Sequence, residues 1–96
     1  MEIVAERKLV IDCGDKRLDA SVKIGRPVPD ESGENWMCPY EVWVEDDCKS
    51  FRMHGIDSMQ ALLLTIKTLD VELEVKAKKL GGKITWLEEP FISVLK

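Results

Sequence analysis

Apolar and polar positions alternate through the first half of the chain and recur with helical spacing through most of the second half. Ile3, Ala5, Leu9 and Ile11 share one side of a period-two pattern, and Leu18, Ala20, Val22 and Ile24 share one side of the next. Between them stands Cys13-Gly14-Asp15-Lys16, where glycine at the first central position suits a two-residue type II′ turn. That turn sets Ile11 against Leu18, Leu9 against Ala20 and Ala5 against Ile24. On the opposite face it brings Glu6 to Lys23, an opposite-charge cross-strand pair.

A second hairpin follows the segment Arg26–Asn35, whose two prolines, one glycine and three acids predict a loop without a regular ladder. Trp36, Cys38, Tyr40, Val42 and Val44 alternate with Met37, Pro39, Glu41, Trp43 and Glu45. A two-residue turn at Asp46-Asp47 places Val42 opposite Phe51 and Tyr40 opposite Met53. The same register puts Glu41 opposite Arg52, Trp43 opposite Ser50 and His54 opposite Pro39.

Helical spacing begins at Gly55-Ile56-Asp57-Ser58-Met59-Gln60. Asp57 is placed to cap free N–H groups, Gln60 to complete a capping box, and Ile56 to staple against Ala61. Gly81-Gly82 ends the helix, with Lys76, Lys78 and Lys79 in the last turns where the helix dipole favours cations. Within Ser58–Leu80, one arc holds Met59, Leu62, Leu63, Ile66, Leu69, Leu73, Ala77 and Leu80. Alternation resumes at Lys83–Glu88, with Ile84 and Trp86 on one side, and Phe91–Leu95 is a last apolar segment. The expected architecture is α+β: an antiparallel four-stranded meander with one long helix on one face, plus a C-terminal strand or extended tail over residues 90–96.

A chain of 96 residues accommodates a single domain spanning residues 1–96. With 45% hydrophobic and 33% charged residues it is expected to fold, and the net charge of -4 points away from nucleic acid and anionic membranes. The longest apolar run, Ala61–Leu64, is far shorter than the ~20 residues a bilayer demands. The first residues lack a signal-peptide pattern, so a cytoplasmic location is expected. Cys13, Cys38 and Cys48 contain no C-x-x-C and have a single histidine for company, which argues for reduced thiols and against a zinc site.

Residue types with chemical potential have structural readings beside the functional ones. Cys38 and His54 suggest a thiolate nucleophile, but Cys38 falls on the core face with Tyr40 and Val42. Asp57 sits where a cap is needed. Glu45-Asp46-Asp47 and Glu88-Glu89 lack the alternating ligand spacing of a calcium loop, and Gly81-Gly82 follows a helix rather than preceding one, unlike a phosphate loop. No cofactor or metal site is expected. Two surface features are stronger. Trp43 lies on the face away from the core, either as an interface anchor or buried by a folded-over Phe91–Leu95. Leu64, Val71 and Val75 form a second apolar stripe on the helix, either a seam for self-association or scattered exposed residues.

Trp36-x-Cys38-x-Tyr40, then Gly55-x-Asp57-x-x-Gln60-Ala61-Leu62, then Trp86 resembles the pattern of a family of short bacterial proteins that form a domain of unknown function. Ile3–Arg7 and Ile24-Gly25-Arg26-Pro27 resemble its N-terminal half. The resemblance covers nearly the whole chain and implies no established activity. By analogy of size, charge and lack of catalytic groups, such proteins are similar to immunity proteins.

Two functional readings follow. The first is a non-enzymatic bacterial protein of the immunity or antitoxin kind that neutralises a basic toxin domain by direct binding. Asp30, Glu31, Glu34, Glu45, Asp46 and Asp47 would supply charge complementarity and Trp43 the apolar anchor. The acids are expected to gather at one end of the meander and Lys76, Lys78, Lys79 and Lys83 at the far end of the helix. The second is a structural or regulatory protein that forms a homodimer through Leu64, Val71 and Val75.

Overall fold

The computed structural model describes residues 1–91, 93 and 94. Among them are one helix, α1 (Ser58–Leu80), and seven strands: β1 (Ile3–Asp12), β2 (Arg17–Gly25), β3 (Val28–Pro29), β4 (Trp36–Val44), β5 (Asp47–Gly55), β6 (Lys83–Trp86) and β7 (Glu89–Pro90). The expected meander β1-β2-β4-β5 is present, with β5 at one edge, but the sheet has seven strands rather than four. All pairings are antiparallel, with β6 and β7 added beyond β1 and β3 added beside β4. The added strands β3 and β7 are two residues each and contain Pro29 and Pro90, so neither carries an alternating pattern that the sequence would reveal.

The first hairpin has the expected register, Ile11 to Leu18, Leu9 to Ala20, Glu6 to Lys23 and Ala5 to Ile24. Cys13 N–H donates to Lys16 O at 2.9 Å, and Gly14 takes the positive φ of 84° that a type II′ turn requires at this position. After Ile24, which faces Tyr40, the residues Gly25, Arg26 and Pro27 oppose only Cys38 and Pro39 before Val28 meets Met37. This one-residue excess is a bulge, and Arg26 N–H leaves the ladder to donate to Glu2 O at 2.8 Å. The expected long loop from Arg26 therefore contracts to a turn over residues 30–35, closed by Asp30 N–H to Asn35 O at 2.9 Å.

The second hairpin departs from its expected register by two residues. Its turn is Glu45-Asp46, so Tyr40 faces Phe51, Val42 faces Lys49, Trp43 faces Cys48, Pro39 faces Arg52 and His54 faces Met37. The neighbouring strand holds the tip. Glu45 N–H donates to Asp19 O at 2.7 Å, and Asp19 N–H donates to Glu45 Oε1 at 3.2 Å, which keeps Glu45 at a φ of 52°. A slip of two preserves side-chain parity, so Cys38, Tyr40, Val42 and Val44 stay inward as their alternation requires.

Helix α1 starts and ends where its caps predict. Asp57 Oδ1 accepts from Gln60 N–H at 2.7 Å, while Gln60 Oε1 accepts from Ile56 N–H at 2.7 Å. The Ile56 staple does not form, since Ile56 is 74% exposed. At the other end Gly81 is left-handed at φ 68°, Gly82 N–H reaches Ala77 O at 2.9 Å and Gly81 N–H reaches Lys78 O at 3.2 Å. These bonds form a Schellman motif.

The buried stripe of α1 is Ala61, Thr65, Leu69, Leu73 and Ala77. Met59, Leu63 and Leu80 of the expected arc are exposed instead. The rotation has a steric cause. A methyl group placed on Gly55 would lie 2.5 Å from the Ala61 backbone nitrogen, so the helix enters against bare backbone with its small residues inward. Thr65 is fully buried and donates Oγ1–H to Ala61 O at 2.9 Å, which satisfies its hydroxyl within the helix. Leu69 and Leu73 pack on Leu9, Ile11, Ala20, Val22, Tyr40, Val42 and Val44 from the sheet. Burying each such leucine contributes about 1.5–3 kcal/mol.

The C-terminal segment lies on this same side. Phe91 and Val94 pack against the core, Val94 N–H donates to Asp70 Oδ1 at 2.9 Å, and Arg7 Nη1 donates to Val94 O at 3.3 Å while its guanidinium stands 3.8 Å from the Trp86 ring centroid. The parts of the expected tail at Ile92, Leu95 and Lys96 lie outside the described residues. Because the Gly55 contact is with main chain that cannot swing away, Gly55→Ala is expected to destabilise the fold by about 1–3 kcal/mol. Asp57→Ala is expected to cost about 1 kcal/mol. Urea denaturation of both variants checks the order.

Candidate functional site

The face of the sheet away from α1 carries Trp43, the last but one residue of β4. Register brings Trp43 beside Ser21 on one side and Cys48 on the other. Its ring is half-buried, with Lys23 Nζ 5.0 Å from the ring centroid and the indole N–H donating to Glu41 Oε1 at 3.0 Å. Glu6 Oε2 holds Lys23 from the far side at 3.8 Å. The four residues form a line across three strands, Glu6–Lys23–Trp43–Glu41, in which the cation orients the ring and the acid satisfies its N–H. Such a stack contributes about 0.5–1 kcal/mol and fixes the indole without covering it. Glu6, Lys8, Asp19, Ser21 and Glu45 join Lys23 and Trp43 around a shallow open recess of about 510 Å³. The expected alternative, Phe91–Leu95 folded over Trp43, is overturned because Phe91 and Val94 pack on the helix side.

The six acids do not form one patch. Asp30, Glu31 and Glu34 belong to the turn that enters β4, and Glu45 and Asp46 to the turn that leaves it, with Asp47 opening β5. Nine residues of β4 separate the groups, roughly 26–30 Å at strand rise. The basic end of α1 lies at the second of these turns, since Lys76 Nζ meets Asp47 Oδ2 at 3.0 Å. The expected split into an acidic end and a basic end is therefore replaced by mixed charge at the Glu45–Asp47 end. Several acids also have structural work: Glu45 holds the hairpin tip to Asp19, and Asp30 organises its turn. The Asp30 carboxylate accepts from the Ser32 hydroxyl and from Ser32 N–H at 2.9 Å, and its Oδ2 lies 3.4 Å from His54 Nδ1. The Ser32 hydroxyl does most to hold this carboxyl below the usual aspartate range, against the cost of desolvation, with the Ser32 amide and His54 assisting. Glu31, Glu34 and Asp46 are exposed.

The Cys38–His54 pairing is absent. Cys38 is completely buried on the helix side, while His54 extends on the open face toward Asp30. Burial pushes the Cys38 thiol up, opposite to what a nucleophile needs, with Thr65 pulling the other way. Leu64, Val71 and Val75 do share one side of α1. Val71 and Val75 are exposed, and Leu64 is half-buried. Lys23 and Glu6 were visible as a charge pair in the sequence, but their role in holding Trp43 depends on the register of β2 on β4, which no local pattern announces.

A family model described as "Domain of unknown function (DUF6968)" matches residues 5–93. The chain belongs to this family. No curated protein and no solved structure matches it. The DUF6968 match takes in Trp43, both acidic turns and the whole of α1. Among the described residues of this DUF6968 chain, no helix is long and apolar enough to cross a membrane.

Tyr40 joins the two layers of the domain. Its ring stacks on Phe51 with centroids 5.4 Å apart, and its hydroxyl donates to Glu72 Oε1 on the helix at 3.4 Å. Burial, then the charge and hydrogen bond of Glu72, push its pKa from 10.0 to about 12. The unfolded tyrosine ionises first, so stability is intact below pH 10 and is lost as pH rises toward 12. Denaturation curves across that range are expected to show this loss in the wild type and a smaller one in Tyr40→Phe. Thiol labelling of the native protein is expected to modify Cys13 and Cys48, which are half-exposed, and to spare Cys38 until the chain unfolds.

Proposed function

We propose that this domain is a non-enzymatic bacterial binding protein of the immunity or antitoxin kind, which acts in the cytoplasm by covering a toxin domain directly. The observation that carries this reading is the oriented indole of Trp43 on a sheet face that none of the described residues covers. An aromatic side chain already fixed by Lys23 and Glu41 loses little freedom when a partner closes over it, as a binding hot spot requires.

Charge supports the same reading in a revised form. A partner-sized contact of about 800 Å² is roughly 28 Å across, comparable to the length of β4. One basic partner centred on the open face would meet acids at both ends of that strand, and the surplus of 18 acidic over 14 basic residues favours its approach. The contact would then be bipolar, with Trp43 between Asp30-Glu31-Glu34 and Glu45-Asp46.

The test uses the product of the gene adjacent to this one, purified and titrated with the domain. Binding with neutralisation of its toxicity is expected. Trp43→Ala is expected to weaken binding by roughly thirtyfold, a hot-spot loss of about 2 kcal/mol, with an unchanged circular dichroism spectrum. Failure of the wild-type domain to bind or neutralise that product sinks the reading.

A further inference from the structure

A different side of the molecule joins two unpartnered features. β5 pairs with β4 along its whole length, Trp36–Gly55 through Val44–Asp47, and no strand among the described residues takes its other edge. It is nine residues long, without proline and without a break in register, so it lacks two devices that usually protect an edge strand. On the helix above, Leu64, Thr68, Val71 and Val75 are spaced four, three and four residues apart, the seam spacing of a paired helix. Val71 is 61% exposed and Val75 48%.

We propose that β5 and this stripe together form the interface of a two-fold homodimer, with the β5 edges paired antiparallel and the α1 helices antiparallel above them. Two independent lines point to a second copy of this chain. The first is that one two-fold axis serves both elements. α1 is tied to β5 at Lys76–Asp47 and at Ala61 against Gly55. Midway between these ties the strand is at Phe51 and the helix is between Thr68 and Leu69. The midpoint of the Leu64–Val75 stripe lies one helix residue further on, an offset of about 1.5 Å. An axis through the centre of the seam therefore passes through the centre of the strand.

The second line is charge. In the antiparallel arrangement Leu64 meets the partner's Val75 and Thr68 meets the partner's Val71, each twice. The flanking Lys67 then meets the partner's Glu74, also twice. Glu74 already has an exposed intrachain contact with Lys78 at 3.4 Å, which costs little to share. In the strand pair centred on Phe51, Lys49 faces the partner's Met53 and Ser50 the partner's Arg52, so no like charges oppose one another. The sheets join edge to edge, which leaves the Trp43 face open. This inference is independent of toxin binding.

Sedimentation equilibrium of the full chain is the measurement. A reversible dimer is expected, and hydrogen exchange of the β5 amides should slow as concentration rises into the dimer range. Val71→Lys, at an exposed position, is expected to give a folded monomer. Lys67→Glu is expected to raise the dissociation constant roughly tenfold through two like-charge contacts. Adding Glu74→Lys to that variant should restore the wild-type value, which a parallel seam would not do, because there Lys67 faces the partner's Glu72. A chain that stays monomeric at the highest soluble concentration overturns the proposal, and so does a dimer indifferent to Val71→Lys or one in which the charge exchange fails to rescue.

Discussion

The close approach of α1 to the sheet at Gly55 is the constraint from which the rest of the structure follows. With no side chain at that position, the first turn of the helix rests on main chain, and Ala61 becomes the first inward residue. Steps of four residues then bring Thr65, Leu69, Leu73 and Ala77 to the same line. Small residues at both ends and leucines in the middle match a sheet whose inner face is filled by Leu9, Ile11, Val22, Tyr40 and Val42. The packing is tight because its bulk lies at the centre, and Tyr40 adds a polar tie from the sheet to Glu72.

This rotation decides what is left outside. Had the arc of largest hydrophobes faced inward, Met59 and Leu63 would be core residues and Ala61 and Thr65 would be surface. Instead the apolar surplus of the helix is divided, with Met59 and Leu63 on one shoulder and Leu64, Val71 and Val75 on the other. The second shoulder rises over the free edge of β5. The C-terminal segment, tied by Asp70 and Arg7, fills the opposite flank. The open face of the sheet is thereby left to Trp43 and its charged supports.

The two hairpins show why parts of the fold were legible and others were not. In the first, turn chemistry at Gly14, apolar alternation and the Glu6–Lys23 pair all agree on one register. In the second, the local charge pair Glu41–Arg52 favoured a register two residues away from the real one. No glycine marks that turn, and Glu45 adopts its positive φ because Asp19, twenty-six positions earlier, bonds both its amide and its carboxylate. The candidate site divides in the same way. Trp43 was visible as an outward aromatic. Its orientation by Lys23 required the register of β2 on β4, whereas the separation of the acids follows from the length of β4 alone.

By itself the sequence determined the helix and its caps, the first hairpin, the inward parity of β4 and the α+β class. Each rests on interactions between near neighbours in the chain or on a repeat that survives small errors. Tertiary structure decided the rotation of α1, the register of the second hairpin, the two-residue strands that widen the sheet and the side on which the C-terminal segment packs. Those outcomes turn on contacts that no periodic pattern encodes, where a missing methyl group at Gly55 or a backbone bond from the distant Asp19 outweighs a local preference of a few tenths of a kcal/mol.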